Sequence, residues 1–182
     1  TDVLAADLAS SFQLNAATPE IQALKEKYTK DGDFTNAMQA VAMASQALKT
    51  GLSRVVTAFL TPSYPLDTHG DMDTNGPSQK RGFDAFARLI DDLSKSQYKD
   101  TEDTWLDRTT VMLSSEFARY PTINQLGGRD HWLMNAMVLA GGDIKSGKVV
   151  GASSDVGMMP VPANLETGDP DPENGEILKP EH

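Results

Sequence analysis

Three stretches of the chain repeat apolar positions with the period of an α-helix. The first follows Thr18-Pro19-Glu20, where a hydroxyl residue, a proline and an acid stand in the order typical of a helix N-terminus. The second runs from Asn36 to Thr50, is rich in alanine and methionine, and is followed by the helix-stop residue Gly51. The third has the pattern of an amphipathic helix. Its predicted apolar face is Phe83, Phe86, Ala87, Ile90 and Leu93, and its predicted solvated face is Asp84, Arg88, Asp91 and Asp92.

Short apolar runs between these segments have the composition of buried strands. Residues 54–60 are rich in β-branched residues and apolar on both faces, and residues 109–114 and 136–140 form two further runs. Residues 148–151 predict either a short fourth strand or one arm of a hairpin. Because strands and helices alternate along the chain, we predict an α/β fold with a mostly parallel sheet and flanking helices.

A polar, glycine-containing loop is predicted over residues 67–80, directly after the first strand. A loop of this length within a compact domain indicates a functional role. In parallel sheets the ligand crevice lies beyond the carboxyl ends of the strands, and polar side chains flank these predicted ends. We therefore expect five side chains to meet at one edge of the sheet: Asp67, His69, Glu116, Asp130 and His131.

Composition excludes several classes of function. The 182 residues include 16 basic and 26 acidic side chains, and the net charge of −10 excludes a basic nucleic-acid-binding surface. No apolar run approaches the ~18 residues of a membrane span. The chain has no cysteine, which excludes disulfides, thiolate metal sites and cysteine nucleophiles.

The negative charge is concentrated at the C-terminal end. Residues 166–182 hold six acids, one base and three prolines, a composition that predicts a solvated loop or tail. The alternative is a calcium loop, because Asp169, Asp171 and Glu173 alternate as oxygen ligands can. We therefore expect an α/β section over residues 1–161, weakly patterned in its first 34 residues, and an acidic segment over residues 162–182.

Two histidines each stand beside an aspartate, in Asp67-Thr68-His69 and in Asp130-His131. A set of imidazoles and carboxylates favours zinc or manganese over magnesium or calcium. Two such ions would hold the attacking and leaving oxygens of a phosphate or sulfate ester, and Arg119 and Arg129 would neutralise its other oxygens. The alternative for each Asp–His pair is an ordinary hydrogen bond within a loop.

The residues from Ser115 to Gly151 resemble the domain of unknown function 1501 family. The most specific match is the run Gly-Gly-Arg-Asp-His-Trp at residues 127–132. Four shorter matches accompany it: Leu66 to Gly70, Asp92-Leu93, Glu116 to Pro121 and Ala140 to Gly142. The resemblance covers residues 35–157 well and residues 158–182 more loosely.

This resemblance implies a bacterial protein exported by the twin-arginine route to the periplasm, and a place in the alkaline-phosphatase and sulfatase superfamily. It implies a sheet edge that holds up to two divalent metals, with Asp67, His69, Glu116 and His131 as ligands. Asp130 is expected either as a further ligand or as a carboxylate that orients His131. The implied function is a metal-dependent phosphoester or sulfoester hydrolase with an anionic ester substrate.

The superfamily places its hydroxyl nucleophile at an early junction between a strand and a helix. Residues 1–50 contain no such strand, and Ser10 and Ser11 therefore do not fit the position. Because family members are more than twice as long, the resemblance implies that this chain is an incomplete section that carries the metal site without the nucleophile. The alternative function is a non-catalytic exported binding or assembly module on the same scaffold, with a protein partner or other parts of the same longer protein beside it.

Overall fold

The computed structural model of the chain describes residues 19–61 and 66–179. The chain divides into two compact units, one formed by Thr1–Thr68 with Met72–Thr109 and the other by His69–Asp71 with Thr110–His182. Within the described ranges, no helix combines the length and the apolar character that a membrane crossing requires.

Helices α1 (Pro19–Tyr28), α2 (Asn36–Lys49) and α3 (Asn75–Lys95) make up the regular structure described in the first unit. All three predicted helices are confirmed, although the predicted start at Thr18 lies outside the described residues. The hydroxyl oxygen of Thr35 accepts a hydrogen bond of 3.2 Å from the backbone N–H of Met38 and so caps α2. Because α3 already begins at Asn75, the last six of the fourteen residues in the predicted 67–80 loop are helical.

The face that α3 buries differs in part from the face that its hydrophobic pattern predicts, although Leu93 is buried as predicted. Phe83, predicted as apolar core, is 52% exposed, whereas Asp92, predicted on the solvated face, is 2% exposed. Small side chains let α3 approach α2, whose buried face is largely alanine, and this close approach decides which face turns inward. The buried positions of α3 recur every three or four residues and include Asn75, Ser78, Gly82, Ala85, Leu89 and Asp92.

The strand predicted over residues 54–60 is wrong. The segment has irregular structure, and the side chains of Val55 and Phe59 are each 80% exposed. Because this segment forms no strand before α3, helix α3 does not connect two parallel strands. The alternation of apolar runs and helices therefore does not build the crossover unit that a parallel sheet needs.

The second unit contains three two-stranded antiparallel sheets among its described residues. The strands of the first are paired from Thr110 opposite Gly141 to Leu113 opposite Val138. The three pairs are β1 (Thr110–Leu113) with β4 (Val138–Gly141), β2 (Ala118–Arg119) with β3 (His131–Trp132), and β5 (Ala152–Ser153) with β6 (Pro160–Val161).

The prediction of a mostly parallel α/β sheet is therefore wrong. The apolar runs at 109–114 and 136–140 do contain strands, but these strands pair with each other in opposite directions. Between them the chain folds into the β2–β3 ribbon and returns, so no helix carries it back to start a parallel neighbour. Residues 148–151 lie outside any strand, and β5 begins just after them.

The described part of the acidic segment folds back on itself. Ala163 is fully buried, and its backbone exchanges hydrogen bonds of 2.8 and 2.9 Å with Glu176. In the described part of the chain, the carboxylates of Asp169, Asp171 and Glu173 do not converge on a common ligand position, which gives no support to the calcium alternative. A domain boundary at residue 161 stays a prediction.

Candidate functional site

The β2–β3 ribbon and the short 69–71 segment of the second unit place two imidazoles against each other. Arg119 lies opposite His131 in the ribbon, and the backbone N–H of Tyr120 donates a 2.8 Å hydrogen bond to the carbonyl of Asp130. The Nε2 atoms of His69 and His131 are 2.9 Å apart, and their ring centroids are 4.7 Å apart. The structure thus brings together two histidines that are 62 residues apart in the sequence.

Asp130 lies against the far side of the His69 ring. Its Oδ1 atom is 3.0 Å from Nδ1 of His69 and also accepts a hydrogen bond from the side-chain amide of Asn124. These two hydrogen bonds hold the pKa of the Asp130 carboxyl below its usual range. Because a carboxylate only accepts hydrogen bonds, the neutral form of the His69 ring carries its hydrogen on Nδ1. That form presents a lone pair at Nε2. Asp130 therefore contacts His69, where the resemblance suggested that it would orient His131.

Of the two arginines predicted to bind an anionic ester, Arg119 reaches the histidine pair. Its Nη1 atom is 3.2 Å from Nε2 of His69 and donates a 3.1 Å hydrogen bond to the carbonyl oxygen of Arg129. No hydrogen bond between described residues joins the Arg129 side chain to either imidazole, and its buried Nε atom has no hydrogen-bond partner among the described residues. Positive charge at the imidazoles therefore comes from Arg119.

Two residues that the sequence analysis did not single out complete the surroundings of the histidines. The ring of Phe117 packs against His131 with centroids 4.0 Å apart, so that the His131 ring contacts both Phe117 and His69. The side-chain amide of Asn124 hydrogen bonds to the carbonyl of His69 and to the carboxylate of Asp130. An asparagine three residues before a Gly-Gly pair is typical of a turn. Nothing in the neighbouring sequence distinguishes such an asparagine from one that contacts a functional site.

Glu116 and Asp67 are the remaining predicted ligands. The Glu116 side chain is exposed, and no hydrogen bond or ion pair between described residues joins it to either imidazole. Asp67 also has an exposed side chain and belongs to the first unit, two residues before His69 in the chain. Between them, Thr68 is buried and accepts a 3.3 Å hydrogen bond from the amide of Asn75.

The donor set can be compared with what a divalent metal requires. Two imidazole nitrogens bound to one tetrahedral zinc ion lie about 3.4 Å apart, since each Zn–N bond is about 2.0–2.1 Å long. His69 and His131 at 2.9 Å would each need to move by only a few tenths of an ångström. A His ligand whose other nitrogen is held by a carboxylate is common at metal sites, and Asp130 supplies that carboxylate. The residues present therefore fit a divalent metal with two nitrogen ligands.

Comparison with known proteins gives one match. The model of a family described as "Protein of unknown function (DUF1501)" matches residues 4–169. No curated protein and no solved structure matches the chain. The match spans most of the chain and includes both histidines and the Gly-Gly-Arg-Asp-His-Trp run. This chain belongs to the DUF1501 family.

Proposed function

We propose that His69 and His131 bind a divalent metal, zinc or manganese, and that the protein is a metal-dependent hydrolase of phosphate or sulfate esters. One observation carries the proposal. The Nε2 atoms of the two rings face each other at 2.9 Å, while Asp130 holds the opposite nitrogen of His69. An ordinary hydrogen-bonded loop pair needs one imidazole and one carboxylate, and it does not account for the second imidazole at this position.

Each neighbouring side chain has a role in this proposal. A bound divalent ion supplies Lewis acidity and lowers the pKa of a water molecule. Asp130 keeps the Nε2 lone pair of His69 directed toward the site, and Arg119 binds the charged oxygens of the ester. Asp67, which the chain keeps within two residues of His69, and Glu116 are the candidates for further ligands.

The proposal includes the source of the attacking group. The serines considered in the sequence analysis, Ser10 and Ser11, lie outside the described residues. We propose that this chain supplies the metal-site portion and that other parts of a longer exported protein supply the nucleophile. The link to the alkaline-phosphatase and sulfatase superfamily belongs to this proposal and is supported by the types of residue at the site.

Calorimetric titration of the metal-free protein with zinc and with manganese tests the proposal. We expect one of these ions to bind, and we expect His69→Ala and His131→Ala each to weaken its binding at least tenfold. Asp155→Ala is the matched control, because Asp155 is an exposed acid of the same unit that no hydrogen bond of the described residues joins to either imidazole. Wild-type protein that binds neither ion at neutral pH would overturn the proposal.

A second candidate function is the non-catalytic binding module. It is favoured by the apolar side chains that the second unit exposes, of which Leu133 is 97% exposed and Val149 85%. Exposed apolar side chains mark an interface between proteins where they form one contiguous patch. Metal-dependent turnover of an aryl phosphate or sulfate by the protein, abolished in Arg119→Ala, would exclude this candidate.

A further inference from the structure

We infer that Asn124 is a positioning residue of the site and that its side-chain amide sets the orientation of the His69 ring through Asp130. As a statement about metal binding, this inference rests on the proposed function. The orientation of the His69 ring in the metal-free protein does not depend on that function.

Both the nitrogen and the oxygen of the Asn124 side-chain amide form hydrogen bonds. Its Nδ2 atom donates to the backbone carbonyl of His69 at 2.9 Å and to Oδ1 of Asp130 at 3.1 Å. Its Oδ1 atom accepts from the backbone N–H groups of Leu126 and Gly128, each at 3.0 Å. The accepting end therefore shapes the 124–128 turn, and the donating end reaches the site.

The donating end holds both partners of one hydrogen bond. Asn124 contacts the backbone carbonyl of His69 and the carboxylate of Asp130, and the Nδ1–Oδ1 hydrogen bond joins the side chains of these same two residues. The Asp130 side chain is 63% exposed, and its hydrogen-bond partners among the described residues are His69 and Asn124. An exposed carboxylate with one partner is free to rotate into water, whereas a second donor restrains it. Asn124 is that second donor.

The two ends can be separated by one substitution. Asn124→Asp keeps an oxygen that accepts from Leu126 and Gly128, so the turn is retained. It removes both donated hydrogen bonds and places a second carboxylate beside Asp130, which repels it. Asn124→Ala removes both ends and measures the turn and the positioning together.

Asn164 offers a matched control in the same unit. Its Oδ1 atom accepts from the N–H groups of Glu166 and Thr167 at 2.9 and 3.1 Å, as Asn124 does in its own turn. No hydrogen bond of the described residues joins its side chain to either imidazole. Asn164→Asp therefore makes the same chemical change and adds the same charge without touching the site.

The deciding measurement is the tautomer of His69 in the metal-free protein, read from long-range proton–nitrogen NMR spectra. We expect the Nδ1–H form in the wild type and in Asn164→Asp, and loss of that preference in Asn124→Asp. Amide hydrogen exchange at Leu126 and Gly128 should remain slow in Asn124→Asp, which shows that the turn persists. An unchanged His69 tautomer in Asn124→Asp, or an equal change in Asn164→Asp, would overturn the inference.

Cobalt(II) binding, followed by its visible absorption, supplies the second readout. Residues that orient a metal ligand typically contribute tenfold to hundredfold in affinity, and we expect a loss of that size in Asn124→Asp and a change within twofold in Asn164→Asp. Wild-type protein that binds neither cobalt, zinc nor manganese would reject the proposed function, while the tautomer comparison would still decide the role of Asn124. Full cobalt affinity in Asn124→Asp would overturn the inference.

Discussion

The hydroxyl of Tyr28 donates a 2.5 Å hydrogen bond to the carboxylate of Asp92, and both side chains are buried in the helical unit. The same carboxylate accepts hydrogen bonds from Ser45 at 2.5 Å and from Lys49 at 2.7 Å, and it also pairs with Lys27. One acid on α3 thus joins two residues of α1 and two of α2. Burial alone would raise the pKa of Asp92, but the hydrogen bonds from these four residues hold it well below its usual range.

Asp92→Asn should strongly destabilise the helical unit. The substitution keeps the size of the side chain but leaves the ammonium of Lys49, 17% exposed, without its counter-charge. Removing one partner of a buried ion pair costs about 3–5 kcal/mol. Urea unfolding followed by circular dichroism measures the change in the free energy of unfolding. A loss of less than about 1 kcal/mol, the contribution of an exposed ion pair, would contradict this expectation. The neighbouring Asp91→Asn is the control, since its exposed pair with Lys95 contributes at most about 1 kcal/mol.

Stability should fall in acid because of Asp92. The carboxyl has a lower pKa in the folded protein than the value of about 3.9 in an unfolded chain. Its stabilising contribution is therefore fully present above that value and is lost as the pH falls further toward the folded pKa. Urea unfolding measured from pH 6 down to pH 2.5 should show wild type and Asp92→Asn converging in the acid range. Parallel curves for the two proteins throughout would show that Asp92 is not responsible.

Gly175→Ala should destabilise the second unit. A Cβ atom at this position would lie 2.5 Å from the carbonyl oxygen of Asp171 and 2.7 Å from that of Ala163, and both neighbours are backbone. We expect a loss of about 1–3 kcal/mol, typical of overpacking. A Cβ atom at Gly76 in α3 would have no neighbour within 4 Å. Gly76→Ala should therefore stabilise the helical unit slightly, because alanine has a higher helix propensity than glycine. Thermal unfolding of both variants compares them, and equal melting temperatures would contradict the packing around Ala163.

Asp130→Asn should weaken metal binding more than it changes folding. The amide is close in size to the carboxylate but no longer holds the Nδ1–H of His69 with a charged acceptor, so the Nε2 lone pair is less well directed. We expect zinc or manganese affinity to fall by about tenfold to hundredfold, with an unfolding curve close to that of the wild type. Asp155→Asn, an exposed acid of the same unit, controls for the loss of charge. Unchanged affinity in Asp130→Asn would show that Asp130 does not orient a ligand.

The local signals in the sequence were sufficient to place the helices. The apolar run that begins at Asn36 and the stop residue Gly51 predict α2, and the structure places the helix at Asn36–Lys49. The hydrophobic pattern of α3 did not fully predict its buried face, because the packing against α2 decides which side of the helix is buried. The pattern predicts Phe83 in the core and Asp92 in solvent, but the small residues of α2 admit the Asp92 side of α3. The Asp92 carboxylate then meets two partners on α1 and two on α2.

The candidate site divides in the same way. The sequence identified His69, Asp130 and His131 because an imidazole beside an acid is recognisable by residue type. It could not identify Asn124 or Phe117, because an amide in a turn and a phenylalanine beside a strand are common throughout proteins. Their roles arise only when the ribbon folds and the 69–71 segment lies beside it.

By itself, the sequence determined the positions of three helices, two of the strands and the chemical types of the site residues, because periodicity, capping and side-chain chemistry act within a few residues. The tertiary structure alone decided the direction of strand pairing, the buried face of α3 and the pairing of Asp130 with His69. Each of these depends on residues far apart in the chain. A strand presents the same unpaired N–H and C=O groups to a parallel and an antiparallel neighbour, so its direction of pairing is set by the route of the chain between the two strands.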